Sequence, residues 1–252
     1  MVDGLMANTG VYRDRHVCEP AIAAYVQHGL GINVEFHGRR TLSFDLLNGG
    51  CGMLNGLQVL TALMETGEAP VGMVVSSEAN ADRRPDPSWT YAASGAAVLL
   101  DLSPRAGVGF GAFAFDTREE DAELYTGVVS LAVKRGRLLL RRRQAELEEA
   151  WLRGAKAVVD EVLERDGLRR EDVARVVPAQ VSPGFLARLG PAIGFAREAV
   201  VDLTAELPDT LTTSTFLALS RSLERAPLAP GQVALLLSFG SGVTVGATTY
   251  RF

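Results

Sequence analysis

Apolar runs and amphipathic stretches alternate along the chain, and they predict strands and helices in turn. Continuous or alternating apolar residues are typical of strands, whereas apolar residues at helical spacing are typical of helices. The predicted strands are 41–47, 71–76, 93–102, 107–116, 173–177, 233–237 and 243–252, with a short apolar piece at 4–7. The predicted helices are 19–30, 52–66, 138–165, 184–189 and 213–224. Strands that alternate with helices favour an α/β fold whose sheets are covered by helices.

Three segments carry more specific structural predictions. The alternating phenylalanines of 107–116 predict a hairpin partner for the preceding strand, 93–102, and the acidic stretch 116–124 predicts a surface loop. The strand 71–76 is apolar on both faces and contains no lysine or proline that would protect an exposed edge. We therefore expect this strand to pair with another chain.

Composition and charge exclude several classes of function. The chain has 252 residues, of which 47% are hydrophobic, so it can bury the core of one large domain or of two half-domains. A net charge of −5 gives no basic field for nucleic acid. Cys18 and Cys51 make no disulfide framework, and no metal-ligand spacing occurs. With no membrane-length apolar run and no signal-peptide pattern at its start, the sequence predicts a cytoplasmic protein.

The segment Phe44–Met53 has the pattern of a strand-to-helix elbow. A strand runs into Gly49, Gly50 and Cys51 and then into an apolar helix. Small residues relieve a tight turn, and the free N–H groups at a helix start can hold an anion. This pattern predicts a functional site at the elbow.

A second candidate site lies near the end of the chain. The turn Gly240–Ser241–Gly242 follows a buried apolar run and precedes an alternating strand. Glycine allows the backbone to come close to a ligand, so the pattern favours a site lined by backbone groups. An ordinary hairpin turn is the alternative.

The elbow and the closing hairpin together resemble the β-ketoacyl-acyl-carrier-protein synthase III family, which has the thiolase fold. In that family the elbow reads Phe-Asp-x-x-x-x-Cys-x-Gly-Phe, and the cysteine is the acyl-accepting nucleophile. Matched without a gap, Phe44, Asp45 and Gly52 agree with the motif. The nucleophile position then holds Gly50, and Cys51 follows one residue later.

The resemblance also identifies the positions of the other catalytic groups. The family's Pro-His-Gln-Ala-Asn segment corresponds to Pro178–Ala179–Gln180, so Ala179 stands at the histidine position. The family's Gly-Asn-Thr-Ser motif corresponds to 211–214, so Thr212 stands at the asparagine position, although this Thr/Ser cluster is also typical of a helix N-cap. The resemblance implies that the backbone of Gly240, Ser241 and Gly242 helps to form an oxyanion hole.

The resemblance implies a thiolase-like layered α/β fold of two similar halves, with the first half shortened. The predicted halves are 1–125, which contains the elbow at 44–53, and 126–252. Family chains open with a further strand and helix before the strand at 2–6. Either the natural protein is short, or its beginning is missing from this sequence.

A cluster of basic residues lies near the start of the second predicted half. Its members could hold the acidic surface of an acyl-carrier protein or the phosphates of coenzyme A. They are Lys134, Arg135, Arg137, Arg141, Arg142 and Arg143. The alternative is a solvated face at the start of the helix 138–165, paired with the glutamates that follow.

Two hypotheses of function follow. In the first, the chain is a catalytically degenerate subunit that pairs with a homologous, active synthase. In the second, it is an acyltransferase or condensing enzyme that uses Cys51 as nucleophile. In both, acyl-coenzyme A or an acyl-carrier-protein thioester is the expected substrate, with no resident cofactor or metal. The expected assembly is a heterodimer with a homologous synthase, or a homodimer.

Overall fold

The computed structural model describes residues 2–10, 21–33, 38–79, 90–130, 137–142 and 144–252, with the backbone alone at 128–130, 137–142 and 144. These residues form two four-stranded sheets and one two-stranded sheet. The strands are β1 Gly4–Asn8, β2 Thr41–Asp45, β3 Val71–Glu78, β4 Ser94–Asp101, β5 Gly109–Thr117, β6 Tyr125–Ser130, β7 Arg137–Arg142, β8 Val173–Pro178, β9 Val233–Gly240 and β10 Thr244–Arg251. The helices are α1 Ile22–Gly29, α2 Gly52–Glu65, α3 Gln144–Arg165, α4 Pro183–Ile193 and α5 Ser214–Arg225.

Both large sheets are mixed. The first has the order β2-β1-β3-β4, in which β1 runs parallel to β2 and β3 while β4 is antiparallel to β3. The second has the order β5-β10-β9-β8, in which β8 runs parallel to β9 while β10 is antiparallel to both neighbours. The set β1, β3, β4 therefore has the same order and directions as the set β8, β9, β10.

The core is divided into two apolar layers by the second sheet. Residues of α2 and α5 pack between the sheets, against β1, β3 and β4 on one side and β5, β8 and β9 on the other. Residues of α3 and α4 cover the opposite face of the second sheet. The helix α1 packs on β1 and β2. The order of layers is thus helix, sheet, helices, sheet, helices.

The structure corrects four of the sequence predictions. The strand β5 pairs with β10 rather than with β4, so its place is set by a strand more than a hundred residues away. The segment 137–142 is a strand paired with β6, and the helix begins only at Gln144. The strand β3 lies between β1 and β4 and is not an edge. The acidic stretch ends β5 and then forms a 3₁₀ helix, Glu119–Leu124.

The predicted division at residue 125 stays a prediction. The strand β5, which that division assigns to the first half, lies in the second sheet. Among the described residues, the two outer edges of the first sheet are β2 and β4.

Candidate functional site

The elbow connects β2 to α2 through the 3₁₀ turn Gly49–Cys51. At the end of β2, the Asp45 carboxylate accepts hydrogen bonds from the backbone N–H groups of Ile22 and Ala23 at 2.7 and 2.9 Å. It also accepts a hydrogen bond from Asn8 Nδ2 at 3.3 Å. Asp45 therefore fastens the start of α1 to the sheet, and its carboxylate is occupied by structural contacts.

Gly50, which stands at the predicted nucleophile position, has no space for a side chain. A Cβ atom added there would lie 2.0 Å from the Phe239 carbonyl oxygen, far inside the 3.0 Å limit that real Cβ contacts respect. The backbone of β9 therefore occupies the place that a nucleophilic side chain would need. A cysteine at this position would require the closing hairpin to move.

Cys51 points into the protein interior. Its side chain is fully buried, and Sγ lies 3.5 Å from the carbonyl oxygens of Ser238 and Thr244. Loss of hydration raises the pKa of the thiol from an ordinary value of 9.0 to about 12, while a backbone hydrogen bond from Gly246 acts in the opposite direction. The thiol is therefore protonated at neutral pH, although the helix N-terminus beside it would by itself lower the pKa.

The closing turn lies directly on the elbow. A Cβ added at Gly49 would meet Ser241 Oγ at 3.0 Å, and one added at Gly240 would meet Cys51 Sγ at 3.3 Å. Gly242 has φ of +89°, a left-handed conformation that favours glycine. Because Gly49, Gly50 and Gly240 have no side chains, two backbone segments about 190 positions apart can pack against each other. The role of the turn as an oxyanion hole stays a prediction.

Thr212 contacts the elbow through a hydrogen bond. Its hydroxyl donates to the Gly49 carbonyl oxygen at 3.2 Å, and the residue is 1% exposed. Ala179 follows β8, where its N–H donates to the Leu237 carbonyl oxygen at 2.9 Å. Its methyl group offers no hydrogen-bond donor. Of the two positions that resemble the family's histidine and asparagine, one has no side-chain donor and the other uses its donor within the fold.

The predicted N-cap for α5 is wrong. Thr213 makes no side-chain capping bond, and its hydroxyl instead donates to the Thr210 carbonyl oxygen and contacts Ser94 Oγ at 2.7 Å. The next hydroxyl, Ser214 Oγ, accepts from the N–H of Gln180 at 2.8 Å. These hydroxyls connect α5 to its neighbours rather than closing its first turn.

Sequence reasoning did not single out two buried residues that support the site. The Gln180 amide donates to the Pro178 carbonyl oxygen at 2.8 Å and accepts from Leu203 N–H at 2.6 Å, so it joins β8 to the following loop. The indole of Trp151 donates to the Gly240 carbonyl oxygen at 3.0 Å. This hydrogen bond connects the closing turn to α3. The match of Gln180 to the glutamine of the family's Pro-His-Gln-Ala-Asn segment was an available signal for the first. Nothing in the sequence connects Trp151 to the turn.

The structure describes half of the basic cluster, and only as backbone. Arg137, Arg141 and Arg142 lie on β7, where Arg142 is in register with Tyr125. Lys134, Arg135 and Arg143 lie outside the described residues.

The described part of this cluster does not lie at the start of a helix. The segment that carries Arg137, Arg141 and Arg142 is a strand, and the Glu148 and Glu149 carboxylates of α3 both pair with Arg188 of α4. Docking of a carrier protein or coenzyme A on the basic cluster stays a prediction.

The described residues contain no group of three histidine, cysteine, aspartate or glutamate side chains that could hold a metal ion. Within the same ranges, no helix is long and apolar enough to cross a membrane.

Known proteins match both the sequence and this geometry. The family profile for the C-terminal region of 3-oxoacyl-[acyl-carrier-protein] synthase III matches residues 163–252, which contain Ala179, Thr212 and the closing turn. The solved structure of the Thermus thermophilus synthase III superposes with a TM-score of 0.83 at 25% identity, over 100% of this chain and 77% of that one. The chain is a synthase III-like member of the thiolase superfamily. The predicted fold class is thereby confirmed.

Curated relatives point to the same family. The chain is 28% identical to the β-ketoacyl-[acyl-carrier-protein] synthase III of Oleidesulfovibrio alaskensis, over 98% of this chain and 80% of the relative. It is 34% identical to the synthase III of Nitratidesulfovibrio vulgaris, over 40% of this chain and 31% of the relative. The chain thus matches less than a third of the second protein's length.

Proposed function

We propose that this synthase III-like chain is a catalytically degenerate subunit of fatty-acid, polyketide or related biosynthesis. It supports acyl-thioester transfer or condensation by a homologous partner that carries a complete active site. Gly50 carries the proposal. It has no side chain that could act as a nucleophile, and the Phe239 carbonyl oxygen leaves no space for one. The relatives that are named synthases supply the class of reaction that the partner performs.

The state of Cys51 supports the same conclusion. A cysteine attacks a thioester as the thiolate, and attack requires the sulfur to reach the carbonyl carbon. Cys51 is fully buried and its pKa is raised to about 12, so neither condition is met in this conformation. The alternative, an enzyme that uses Cys51 as nucleophile, needs the closing hairpin to separate from the elbow.

The hydrogen-bond donors are also missing from the proposed reaction centre. Decarboxylation of a malonyl-thioester develops negative charge on an oxygen, which donors must stabilise. The Ala179 side chain has no donor, and the Thr212 hydroxyl already donates to the Gly49 carbonyl oxygen. Loss of a single oxyanion-hole donor typically lowers kcat by about a hundredfold to a thousandfold. The chain alone is therefore expected to turn over no malonyl-thioester.

A partner subunit would supply what the chain lacks. Two copies of this chain, each without nucleophile and donors, would hold no working site, so we propose a heterodimer with a homologous synthase. The edge strand β2 offers one surface for pairing, since its outer side has no neighbour among the described strands. We place the complex in the cytoplasm, where a free cysteine thiol is kept reduced.

Coexpression with a catalytically complete synthase III of the source organism tests the proposal. We expect light scattering to show a heterodimer, and malonyl-thioester turnover to occur in the complex but not in the chain alone. The matched control is the same complex in which the partner's nucleophilic cysteine is changed to alanine, and it should be inactive. Turnover by the purified chain alone, or by the control complex, would contradict the proposal.

A further inference from the structure

The turn before α5 has an unfavourable backbone conformation. Leu211 has φ of +54°, in the left-handed region that glycine adopts freely and other residues avoid. Among the described residues, the one other non-glycine residue with positive φ is Asn33, and asparagine tolerates this conformation. The family's Gly-Asn-Thr-Ser motif has its glycine at position 211, where this chain has leucine. The turn is therefore strained.

A second unfavourable feature lies next to this leucine. Thr210 is 2% exposed, and its hydroxyl has no hydrogen-bond partner within the described part of the chain. A hydroxyl that is buried without a partner loses its hydrogen bonds to water and destabilises the folded conformation. Two successive residues thus oppose the observed conformation of the turn.

Hydrogen bonds to neighbouring residues hold the turn in place. The Asp209 carboxylate accepts from the Leu211 N–H at 2.9 Å, and the Asp209 carbonyl oxygen accepts from the Ala92 N–H at 3.0 Å. The hydroxyls of Thr213 and Ser94 lie 2.7 Å apart. The turn is thus connected to the segment that leads into β4.

The same turn holds the elbow. The Thr212 hydroxyl donates to the Gly49 carbonyl oxygen at 3.2 Å, and a Cβ added at Gly52 would lie 3.3 Å from the Thr212 methyl carbon. The side chain of Leu211 packs against the apolar layer that includes residues of the closing hairpin. The elbow is therefore fixed by the closing hairpin and by this turn together.

We propose that residues 209–213 form a strained latch on the elbow. In the observed conformation, the latch holds the elbow against the closing hairpin through Thr212. Rotation of Leu211 out of the left-handed region lets the Thr210 hydroxyl reach water and breaks the hydrogen bond from Thr212. The elbow can then separate from the hairpin and expose Cys51. The strain in the turn raises the population of this open state.

The rate at which iodoacetamide alkylates Cys51 in the isolated, folded chain measures the open state. A fully buried thiol reacts only when an opening exposes it, so at a fixed pH the rate is proportional to the open population. Mass spectrometry of the digested chain distinguishes Cys51 from Cys18, because the two cysteines lie in different peptides.

The same substitution at two threonines should have opposite effects. Thr212→Val removes the hydroxyl that holds Gly49 and keeps the shape of the side chain, so alkylation should become about fivefold faster. Thr210→Val removes the buried hydroxyl without a described partner, so alkylation should become about threefold slower or more. A general loss of stability would accelerate both variants.

Two further variants test the strain at Leu211. Leu211→Gly and Leu211→Ala both remove the side chain beyond Cβ, and they differ only in the Cβ atom that disfavours the left-handed region. We expect alkylation in Leu211→Gly to be about threefold slower or more than in Leu211→Ala. Leu30 is the control position, because it is exposed and has an ordinary φ of −86°. There the glycine variant should be no slower than the alanine variant.

Val162→Ala distinguishes the latch from global unfolding. Val162 is fully buried near the end of α3, so this variant lowers the stability of the whole chain. Because the latch opens locally, we expect the alkylation rate of Cys51 to stay unchanged in Val162→Ala. Equal acceleration by Val162→Ala and Thr212→Val would assign the reaction to global unfolding and overturn the proposal.

Three other results would also overturn the proposal. They are a change in the same direction in both threonine variants, alkylation in Leu211→Gly that is no slower than in Leu211→Ala, and no measurable alkylation of Cys51 in the folded chain. The experiment uses neither a partner subunit nor an acyl-thioester. The latch and the proposed function can therefore fail separately.

Discussion

The elbow and a groove beside β4 are opposite in packing. At the elbow, Gly50 lies so close to β9 that not even a methyl group fits, and Cys51 is fully buried. At the β4 edge, a groove of about 640 Å³ stands open beside Leu99, which is 75% exposed. The place that the family resemblance assigns to chemistry is closed, and the open apolar surface lies at a sheet edge. The contrast is consistent with the proposed role as a subunit that supports a partner.

The cause of the contrast is the distribution of side chains. Glycines at 49, 50 and 240 remove the atoms that would keep the elbow and the closing turn apart, so the backbones meet directly. At the β4 edge, the described residues provide no counterpart of β5 and α3, so apolar side chains lack neighbours.

The largest effect is expected at Gly50. Gly50→Ala would place a methyl carbon 2.0 Å from the Phe239 carbonyl oxygen, so the elbow or the hairpin must shift. We expect the free energy of unfolding to fall by about 3 kcal/mol or more, at the upper end of overpacked core sites. Chemical denaturation measures it.

Gly184→Ala is the control for this change. Gly184 lies in the first turn of α4 with no atom within 4 Å of an added Cβ. Alanine favours the helix over glycine by up to about 1 kcal/mol, so this variant should be unchanged or slightly more stable. Equal stability of the two variants would show that the elbow is not closed as described.

A smaller effect is expected from the titration of Cys51. Burial raises its pKa to about 12 from an ordinary value of 9.0, so the unfolded chain loses the thiol proton first as the pH rises. The stabilising contribution is therefore complete below about pH 9 and is lost as the pH rises toward 12. Between pH 8 and pH 10 the loss is about 1.4 kcal/mol for one such group.

Cys51→Ala isolates this contribution from the other groups that titrate at alkaline pH. We expect the free energy of unfolding of the natural chain to fall more steeply between pH 8 and pH 10 than that of the variant. Parallel pH profiles would mean that the thiol is accessible to water in the folded protein.

The sequence predicted the elements whose apolar pattern is strong. The strands β3, β8, β9 and β10 and the helix α2 were all expected near their observed positions, because long apolar runs are decisive locally. The leucines of 138–140 lie between arginines and suit either a helix or a strand. The segment forms a strand because it pairs with β6, and no local sequence pattern indicates that pairing.

One prediction failed because its physical argument was incomplete. The sequence of β3 is apolar on both faces, and an unprotected edge strand can have this property. A strand with neighbours on both sides and layers on both faces has the same pattern, and β3 has neighbours on both sides.

The sequence located the candidate site, but it did not show that the site is closed by close packing. The family motif identified Gly50, Ala179, Thr212 and the closing turn, and the structure brings Gly50, Thr212 and the turn together at the elbow. The distance from Gly50 to the Phe239 carbonyl oxygen depends on how the two sheets pack. Trp151 helps to hold that packing through its hydrogen bond to the turn, and no sequence pattern indicates this contact.

Intact-protein mass spectrometry after incubation with acyl-thioesters tests the central claim most directly. We expect the mass of the chain alone to stay unchanged with acyl-coenzyme A and with acyl-carrier-protein thioesters, because Cys51 is buried and protonated. In the complex, the adduct should appear on the partner alone. A stable acyl adduct on this chain that disappears in Cys51→Ala would contradict the account.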